Sequence, residues 1–170
     1  MKKILLFFTL VLFLDFCSIA QWTKKADFPG GSLRRVGSFV IGGKGYAVCG
    51  MNDSKQVYEY NASNDTWTQK TDFAGTARRD VIGFSINGYG YAGLGYSSTN
   101  YQTTFYQYDP AGNGGAGSWT AKASGPSKAG TQTRCTINNI GYVFCNYDYD
   151  NTAWSYVDNT WTQLTSSPHP

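Results

Sequence analysis

The chain has 170 residues, a formal net charge of +3 and only 15% charged residues. That length allows one domain or a few repeats, and the low charge gives no dense basic patch of the kind nucleic-acid binding needs. Its 20 glycines and 13 tyrosines favour short strands joined by tight turns over helices. After residue 20 we find no amphipathic helical stretch, so the sequence predicts an all-β chain.

Residues 1–20 have the layout of a secretory signal peptide. Lys2 and Lys3 precede an apolar run over residues 4–14, and Ser18 and Ala20 are the small residues of a cleavage site before Gln21. The run is shorter than the roughly 20 residues that cross a bilayer. We therefore expect a mature chain over 21–170 without a stable membrane span, exported to the periplasm, the cell surface or the medium.

Three cysteines remain after this cleavage: Cys49, Cys135 and Cys145. An odd number in an exported chain argues against a full disulfide framework. We expect them to be buried free thiols on strands, where cysteine behaves as a small apolar residue.

A repeat organises the rest of the chain. Tryptophan followed by threonine occurs four times, and the same features follow in the same order. Trp-Thr-x-Lys-x-Asp-Phe is complete at 22–28 and 67–73, with an arginine pair at 34–35 and 78–79. Apolar runs at 39–41, 84–86 and 135–137 lead into Gly- or Asn-rich turns and then a tyrosine. The predicted repeats are about 22–66, 67–118 and 119–160, with 161–170 completing the last one.

Each repeat holds about four short strands, because Asn/Gly pairs between alternating apolar runs are strong hairpin signals. A single four-stranded unit cannot bury its apolar faces alone, whereas stacking units around an axis buries them. The repeated aromatic positions are predicted to be structural and to lie in the core. They are Trp22, Trp67, Trp119, Trp161, Tyr46, Tyr91 and Tyr142.

This pattern resembles kelch repeats, and in particular bacterial secreted kelch proteins related in fold to the galactose oxidase propeller. The resemblance covers residue 22 to about 168. It implies a kelch-type β-propeller segment of about three four-stranded antiparallel blades in an incomplete ring. The sequence departs from the family where kelch repeats usually carry a Gly-Gly doublet, which here reads Cys49-Gly50, Leu94-Gly95 and Cys145-Asn146.

Three repeats do not close a ring, since propellers typically have four to eight blades. Residues 22–28 are expected to form the last strand of a preceding blade, and 161–168 to finish the third. Three explanations stay open: a piece of a longer propeller, two copies joined into a six-bladed homodimer, or an open arc with exposed edges.

Repeated arginines are the first candidate binding residues. Arg34, Arg35, Arg78 and Arg79 are predicted in the loops that enter the innermost strands, with Arg134 near the equivalent place. A ring of arginines near the axis would bind carboxylates or acidic sugars bidentately. The competing interpretation is that they form salt bridges to Asp27, Asp72 or Asp80 that tie blades together.

Tyrosines in or beside turns are the second candidate set. Tyr96, Tyr101, Tyr147 and Tyr149 are placed to stack on a sugar ring or on a partner's apolar surface. Packing between blades is the alternative role for each of them.

The chain offers little for catalysis. Its only histidine is His169 and its only glutamate is Glu59, so it lacks the copper site of galactose oxidase, a Ser-His-Asp relay and a glutamate pair for glycoside hydrolysis. Asp148 and Asp150 fall short of a calcium loop. We predict no catalytic residue, cofactor or metal.

The predicted function is a non-catalytic exported binding or scaffold module that recognises a protein or a glycan through its loops, and does not bind nucleic acid. The alternative is a fragment of a kelch-type carbohydrate-active enzyme, similar to a sialic-acid mutarotase or to galactose oxidase, whose active-site blades are missing.

Overall fold

The computed structural model describes residues 21–31, 34–126, 133–144 and 152–165. They form three four-stranded antiparallel sheets, each with its strands in sequence order, which we call blades 1 to 3. The proposed signal peptide lies outside the described residues. No helix in the described part of the chain is long and apolar enough to cross a membrane.

The three blades have the same plan. Blade 1 consists of β1 (Gly37–Ile41), β2 (Lys44–Val48), β3 (Val57–Asn61) and β4 (Thr66–Gln69). Blade 2 consists of β5 (Ile82–Ile86), β6 (Tyr89–Gly93), β7 (Phe105–Asp109) and β8 (Ser118–Lys122). Blade 3 consists of β9 (Thr133–Ile137), β10 (Ile140–Phe144), β11 (Ala153–Val157) and β12 (Thr160–Leu164). The inner strands β1, β5 and β9 lie side by side.

Two-residue turns set the register of the first hairpin in each blade. Both turn residues have positive φ: 56° and 76° at Gly42 and Gly43, and 50° and 60° at Asn138 and Asn139. Glycine and asparagine tolerate this backbone, which matches the twist of the flanking strands. The hairpins predicted from these turns are confirmed.

The core lies between blades. We call the face of a blade that is turned toward the next blade in the chain its leading face, and the opposite face its trailing face. The leading faces of blades 1 and 2 carry Phe39 in β1 and Phe84 in β5, and the trailing face of the next blade receives each ring. A Cβ added to Gly90 or Gly141 would collide with these phenylalanines, so glycine there lets the ring lie flat on the backbone. The Tyr108 ring lies 5.9 Å from that of Phe39 and completes the first junction.

The aromatic residues at equivalent positions of the repeats differ in burial. Tyr46 and Tyr91 are buried and Tyr142 is half-buried, while Trp67, Trp119 and Trp161 pack on the tyrosine opposite them in the third strand. The prediction for Trp22 was wrong, because its side chain is 99% exposed. The strand predicted over 22–28 is absent as well, because these residues are not in a strand and the described residues contain no earlier blade that they could complete.

Cys49 and Cys135 are free, as expected. Cys49 is buried just beyond the end of β2, and burial raises the pKa of its thiol to about 12. Cys135 lies half-buried on β9, whereas Cys145 is outside the described residues.

The trailing face of blade 1 has no blade behind it among the described residues. A Cβ on Gly45 would meet only the Tyr60 Cβ, at 4.0 Å. An apolar groove of about 400 Å³ lies here, lined by residues that include Val40, Tyr60 and Trp67. The described blades therefore form an open arc.

Candidate functional site on the loop rim

One edge of the arc, which we call the rim, gathers the longest described loops. Each inner strand begins at this edge, and the loops 49–56 and 94–104 between the second and third strands protrude from it. The arginine and tyrosine candidates that the structure describes lie in or next to these loops, with the exceptions of Arg78 and Arg134.

The arginine pairs of blades 1 and 2 align differently from the prediction. The Met51 amide donates to the Arg34 carbonyl at 3.0 Å, and the Tyr96 amide donates to the Arg79 carbonyl at 2.9 Å. Arg34 is therefore equivalent to Arg79, and not to Arg78. The matching of Arg34-Arg35 with Arg78-Arg79 was wrong by one residue, because it pairs identical residues 44 positions apart, whereas the flanking phenylalanines (28 and 73, 39 and 84) are 45 positions apart.

Arg35 joins blade 1 to blade 2. Its Nε lies 2.7 Å from Asp80 Oδ1, and its Nη2 donates to Asp80 Oδ2. The Asp80 side chain is buried, and the Asp80 amide also donates to the Arg35 carbonyl at 2.8 Å. Because its guanidinium is engaged by both carboxylate oxygens of Asp80, Arg35 has a structural role, as the salt-bridge interpretation proposed.

Arg79 connects two rim loops. Its Nη1 donates to Asp53 in loop 49–56 at 2.7 Å, and its guanidinium lies 4.8 Å from the Tyr96 ring centre. The Tyr96 ring meets the Tyr101 ring edge to face at 5.1 Å. Ion pairing and stacking together hold this half-buried group in one geometry, with Arg34 exposed on the same rim.

Loop 94–104 is ordered by its own polar side chains. Isolated bridges pair Tyr96 with Arg79 and with Tyr101. The Ser97 amide donates to the Asn100 carbonyl at 3.0 Å, and Gln102 Nε2 donates to Ser97 Oγ at 2.9 Å. The loop therefore presents two tyrosines on a rigid support. Their predicted companions Tyr147 and Tyr149 lie outside the described residues, as do Asp148, Asp150 and His169.

Arg78 does not reach the rim surface, because its side chain is fully buried in blade 2. Nη1 donates to the Leu94 carbonyl at 3.1 Å, Nη2 donates to Thr104 Oγ1 at 2.9 Å, and the guanidinium lies 5.1 Å from the Phe73 ring centre. Burial lowers its pKa below the usual arginine range. A ligand outside the blade has no access to this guanidinium, which corrects its assignment to the binding set.

Arg134 lies within the inner strand β9 and not in the loop before it. Its register makes it equivalent to Ser38 and Gly83. Its Nη2 is 3.5 Å from both the Val36 carbonyl and Ser38 Oγ, so it extends from blade 3 to blade 1. Burial lowers its pKa as well. Arg134 thus contributes to packing around the axis.

Two acidic residues with defined partners were missed by sequence reasoning. Asp53 binds Arg79 across 26 residues, and nothing local in its loop indicates that pairing. Glu59 is buried between Lys44 Nζ at 2.8 Å and Lys70 Nζ at 3.3 Å and accepts a 2.6 Å bond from Tyr46 Oη. Burial opposes its ionisation, but these contacts outweigh burial and lower its pKa.

No family model matches the chain, and no curated protein matches it. Among solved structures, one titled "Structure of YjhT" is similar, with a TM-score of 0.70 at 17% sequence identity. The match covers 88% of this chain and 57% of that one. The chain is a β-propeller segment. At this identity the likeness shows the fold alone, and the chain spans little more than half of the similar structure.

In this propeller segment the rim carries Arg35 and Arg79, which are ion-paired, the stacked Tyr96 and Tyr101, and the exposed Arg34. In the described part of the chain, no three His, Cys, Asp or Glu side chains group as metal ligands would. Chemically, the rim offers aromatic faces and guanidinium donors, which suit recognition of polar or acidic groups.

Proposed function

We propose that this chain is an exported, kelch-type propeller module that binds a protein or a glycan through its rim, without catalysing a reaction. The single observation that carries the proposal is the Arg79–Tyr96–Tyr101 stack, held between Asp53 and the ordered loop 94–104. Rigid aromatic side chains provide contact area at low entropic cost, and tyrosine and arginine are enriched where binding energy concentrates.

The test uses the purified chain on a panel of immobilised glycans and on cells of the source organism, before and after surface proteolysis. Tyr101→Ala removes the outer ring of the stack and should weaken binding roughly tenfold or more. Tyr89→Ala is the matched control, because Tyr89 is exposed at the start of β6, next to the β5–β6 turn at the opposite edge. Equal loss with both variants, or binding to no glycan and no cell, would overturn the proposal.

The same sample tests the enzyme alternative. If the chain accelerates exchange between the anomers of a sialic acid, measured by NMR, or turns over another sugar, the non-catalytic assignment is wrong. Binding to the glycan panel, together with cell binding that survives surface proteolysis, would identify a sugar ligand. Cell binding lost on proteolysis would identify a protein partner.

A further inference from the structure

Two exposed cations of blade 1 lie at the rim without an ion pair. Arg34 lies beside loop 49–56, since its carbonyl accepts the Met51 amide at 3.0 Å. Lys55 belongs to that loop, and its carbonyl accepts the Phe73 amide at 2.8 Å, which places it next to the linker from blade 1 to blade 2. No described carboxylate lies within ion-pair distance of either charged group. Both charges are therefore open to a ligand.

Two acidic side chains near these cations are already paired with other arginines. Asp80 binds Arg35, and Asp53 binds Arg79 Nη1 at 2.7 Å. The Arg79 guanidinium keeps unused donors, because its Nε and Nη2 have no acceptor in the described part of the chain. Its side chain is 24% exposed, and the five N–H donors of a guanidinium allow it to bind a second carboxylate beside the first.

A third positive charge lies beneath the rim surface. The fully buried guanidinium of Arg78 donates to carbonyl and hydroxyl oxygens, and no described carboxylate neutralises it. A charge in the low-dielectric interior acts over a longer distance than it does in water. The exposed Asp72 in the preceding linker offsets one of these three charges. Positive charge is therefore in excess where blade 1 meets blade 2, which favours an anionic ligand.

We infer that this part of the rim binds an acidic segment of a partner protein, whose carboxylates pair with Arg34, Lys55 and Arg79. The inference rests on the proposed binding function and names the chemistry of the partner. The three cations lie in three different segments: the entry to β1, loop 49–56 and the entry to β5. A single sugar carboxylate pairs with one or two of them, whereas an extended chain with several Asp or Glu side chains can pair with all three.

The tyrosines of the rim also favour a protein over a sugar. The Tyr96 ring already contacts the Arg79 guanidinium and the Tyr101 ring, and both tyrosines are half-buried. A sugar that stacks on an aromatic side chain needs an open ring face. The exposed side chains of loop 94–104 are instead polar: Ser98, Thr99 and Asn100. Their hydroxyl and amide groups suit hydrogen bonds to a peptide backbone.

The probe is an acetylated and amidated hexapeptide of alternating Glu and Asp, titrated into the purified chain and followed by amide NMR shifts. The signals of Met51, Lys55 and Arg79 should move, and those of Gly43 and Gly88 at the opposite edge should not. Binding should weaken as salt is added, because exposed charges are screened. The matching peptide of Gln and Asn, and glucuronic acid as a carboxylate on a sugar, should both bind more weakly than the acidic peptide. Arg34→Gln combined with Lys55→Gln removes two exposed charges and leaves both ion pairs in place, so the fold should be unchanged. Peptide binding should weaken roughly tenfold in this double variant. Lys24→Gln combined with Lys25→Gln is the matched control, because it removes the same charge from exposed lysines near the β3–β4 turn, at the edge opposite the rim. The control should bind the peptide as the wild-type chain does.

Four results would overturn the inference: no saturable binding of the acidic peptide, equal binding of its amide version, equal loss in the two double variants, or binding of glucuronic acid as tight as that of the peptide. The last result would identify a sugar carboxylate as the ligand. Cell or glycan binding that is lost in Tyr101→Ala but kept in the Arg34→Gln, Lys55→Gln variant would leave the rim proposal standing and show that the acidic partner is wrong.

Discussion

Trp119 in β8 donates its indole N–H to the backbone carbonyl of Thr71, 48 residues earlier in the linker that leaves blade 1, at 3.3 Å. Trp67 and Trp161 do the same to Ala26 and Ala123, at 3.2 and 3.1 Å. In each case the acceptor lies four residues after the preceding tryptophan of the repeat. In each repeat this hydrogen bond, which we call the latch, therefore joins a linker to the outer strand of the following blade.

Loss of one latch should cost stability. Trp119→Phe keeps an aromatic ring against Phe73 and Tyr108 but removes the N–H donor, so we expect the free energy of unfolding to fall by about 1–2 kcal/mol. Urea unfolding measures the change. Trp22→Phe is the control, because the exposed Trp22 side chain should give no change. Equal effects of the two substitutions would show that the latch contributes nothing.

The comparison of Trp22 with Trp119 also shows what the sequence could predict. Hairpin turns such as Asn138-Asn139 depend on local backbone preferences, so strand order and register followed from them. Burial depends on neighbours far along the chain. The same Trp-Thr motif lies in a sheet at residue 119, where it pairs with β7, and on the surface at 22, where the described residues offer no strand that pairs with it.

The candidate site was less accessible to sequence reasoning than the fold. Which arginine enters the blade is decided by acceptors such as the carbonyls of Leu94 and Thr104, 16 and 26 residues away from Arg78. Asp53 was missed as the partner of Arg79 for the same reason. Tyr96 and Tyr101 were found because tyrosines in a turn-rich segment are a local feature.

The stability of the chain should depend on the guanidinium of Arg78, which is fully buried in blade 2. Arg78→Met keeps much of the apolar length but removes the donors to the Leu94 carbonyl and to Thr104 Oγ1, so the free energy of unfolding should fall by about 1–3 kcal/mol. Arg34→Met changes an exposed arginine on the same rim and should have little effect. A more stable Arg78→Met variant would mean that desolvation of the charge outweighs its hydrogen bonds.

Glu59 should make stability depend on acid pH. Its pKa is lowered in the folded chain, so the folded state binds fewer protons than the unfolded state. The stabilisation is present above the ordinary glutamate pKa of about 4.3 and is lost as the pH falls through the lower folded value. Melting temperatures measured from neutral pH down to pH about 3 should fall less steeply in Glu59→Gln. Asp27→Asn, at an exposed pair, should keep the steep fall.

The trailing face of blade 1, uncovered among the described residues, bears on the homodimer, which is one of the three explanations that the sequence leaves open. At the internal junctions a phenylalanine meets a glycine flanked by Ser85 or Thr136, whereas blade 1 has Val40 beside Gly45. Cys135 replaces phenylalanine on the leading face of blade 3. Cys135 is smaller than the phenylalanine it replaces, and Val40 on blade 1 is larger than the serine at the equivalent position of blade 2. The two differences offset each other in volume, which favours docking of blade 3 of one copy on blade 1 of another.

Light scattering after size exclusion should then show one dimer for the purified chain. Gly45→Leu fills the groove and should give monomers of unchanged fold, since its Cβ meets nothing closer than 4.0 Å. Thr120→Leu adds the same side chain on the exposed outer strand of blade 2 and should stay dimeric. In Gly45→Cys, a short bismaleimide should link that residue to Cys135 of the second copy. A monomeric wild-type chain contradicts the pairing, and a ladder of larger species would mean that head-to-tail contacts form without closing a ring.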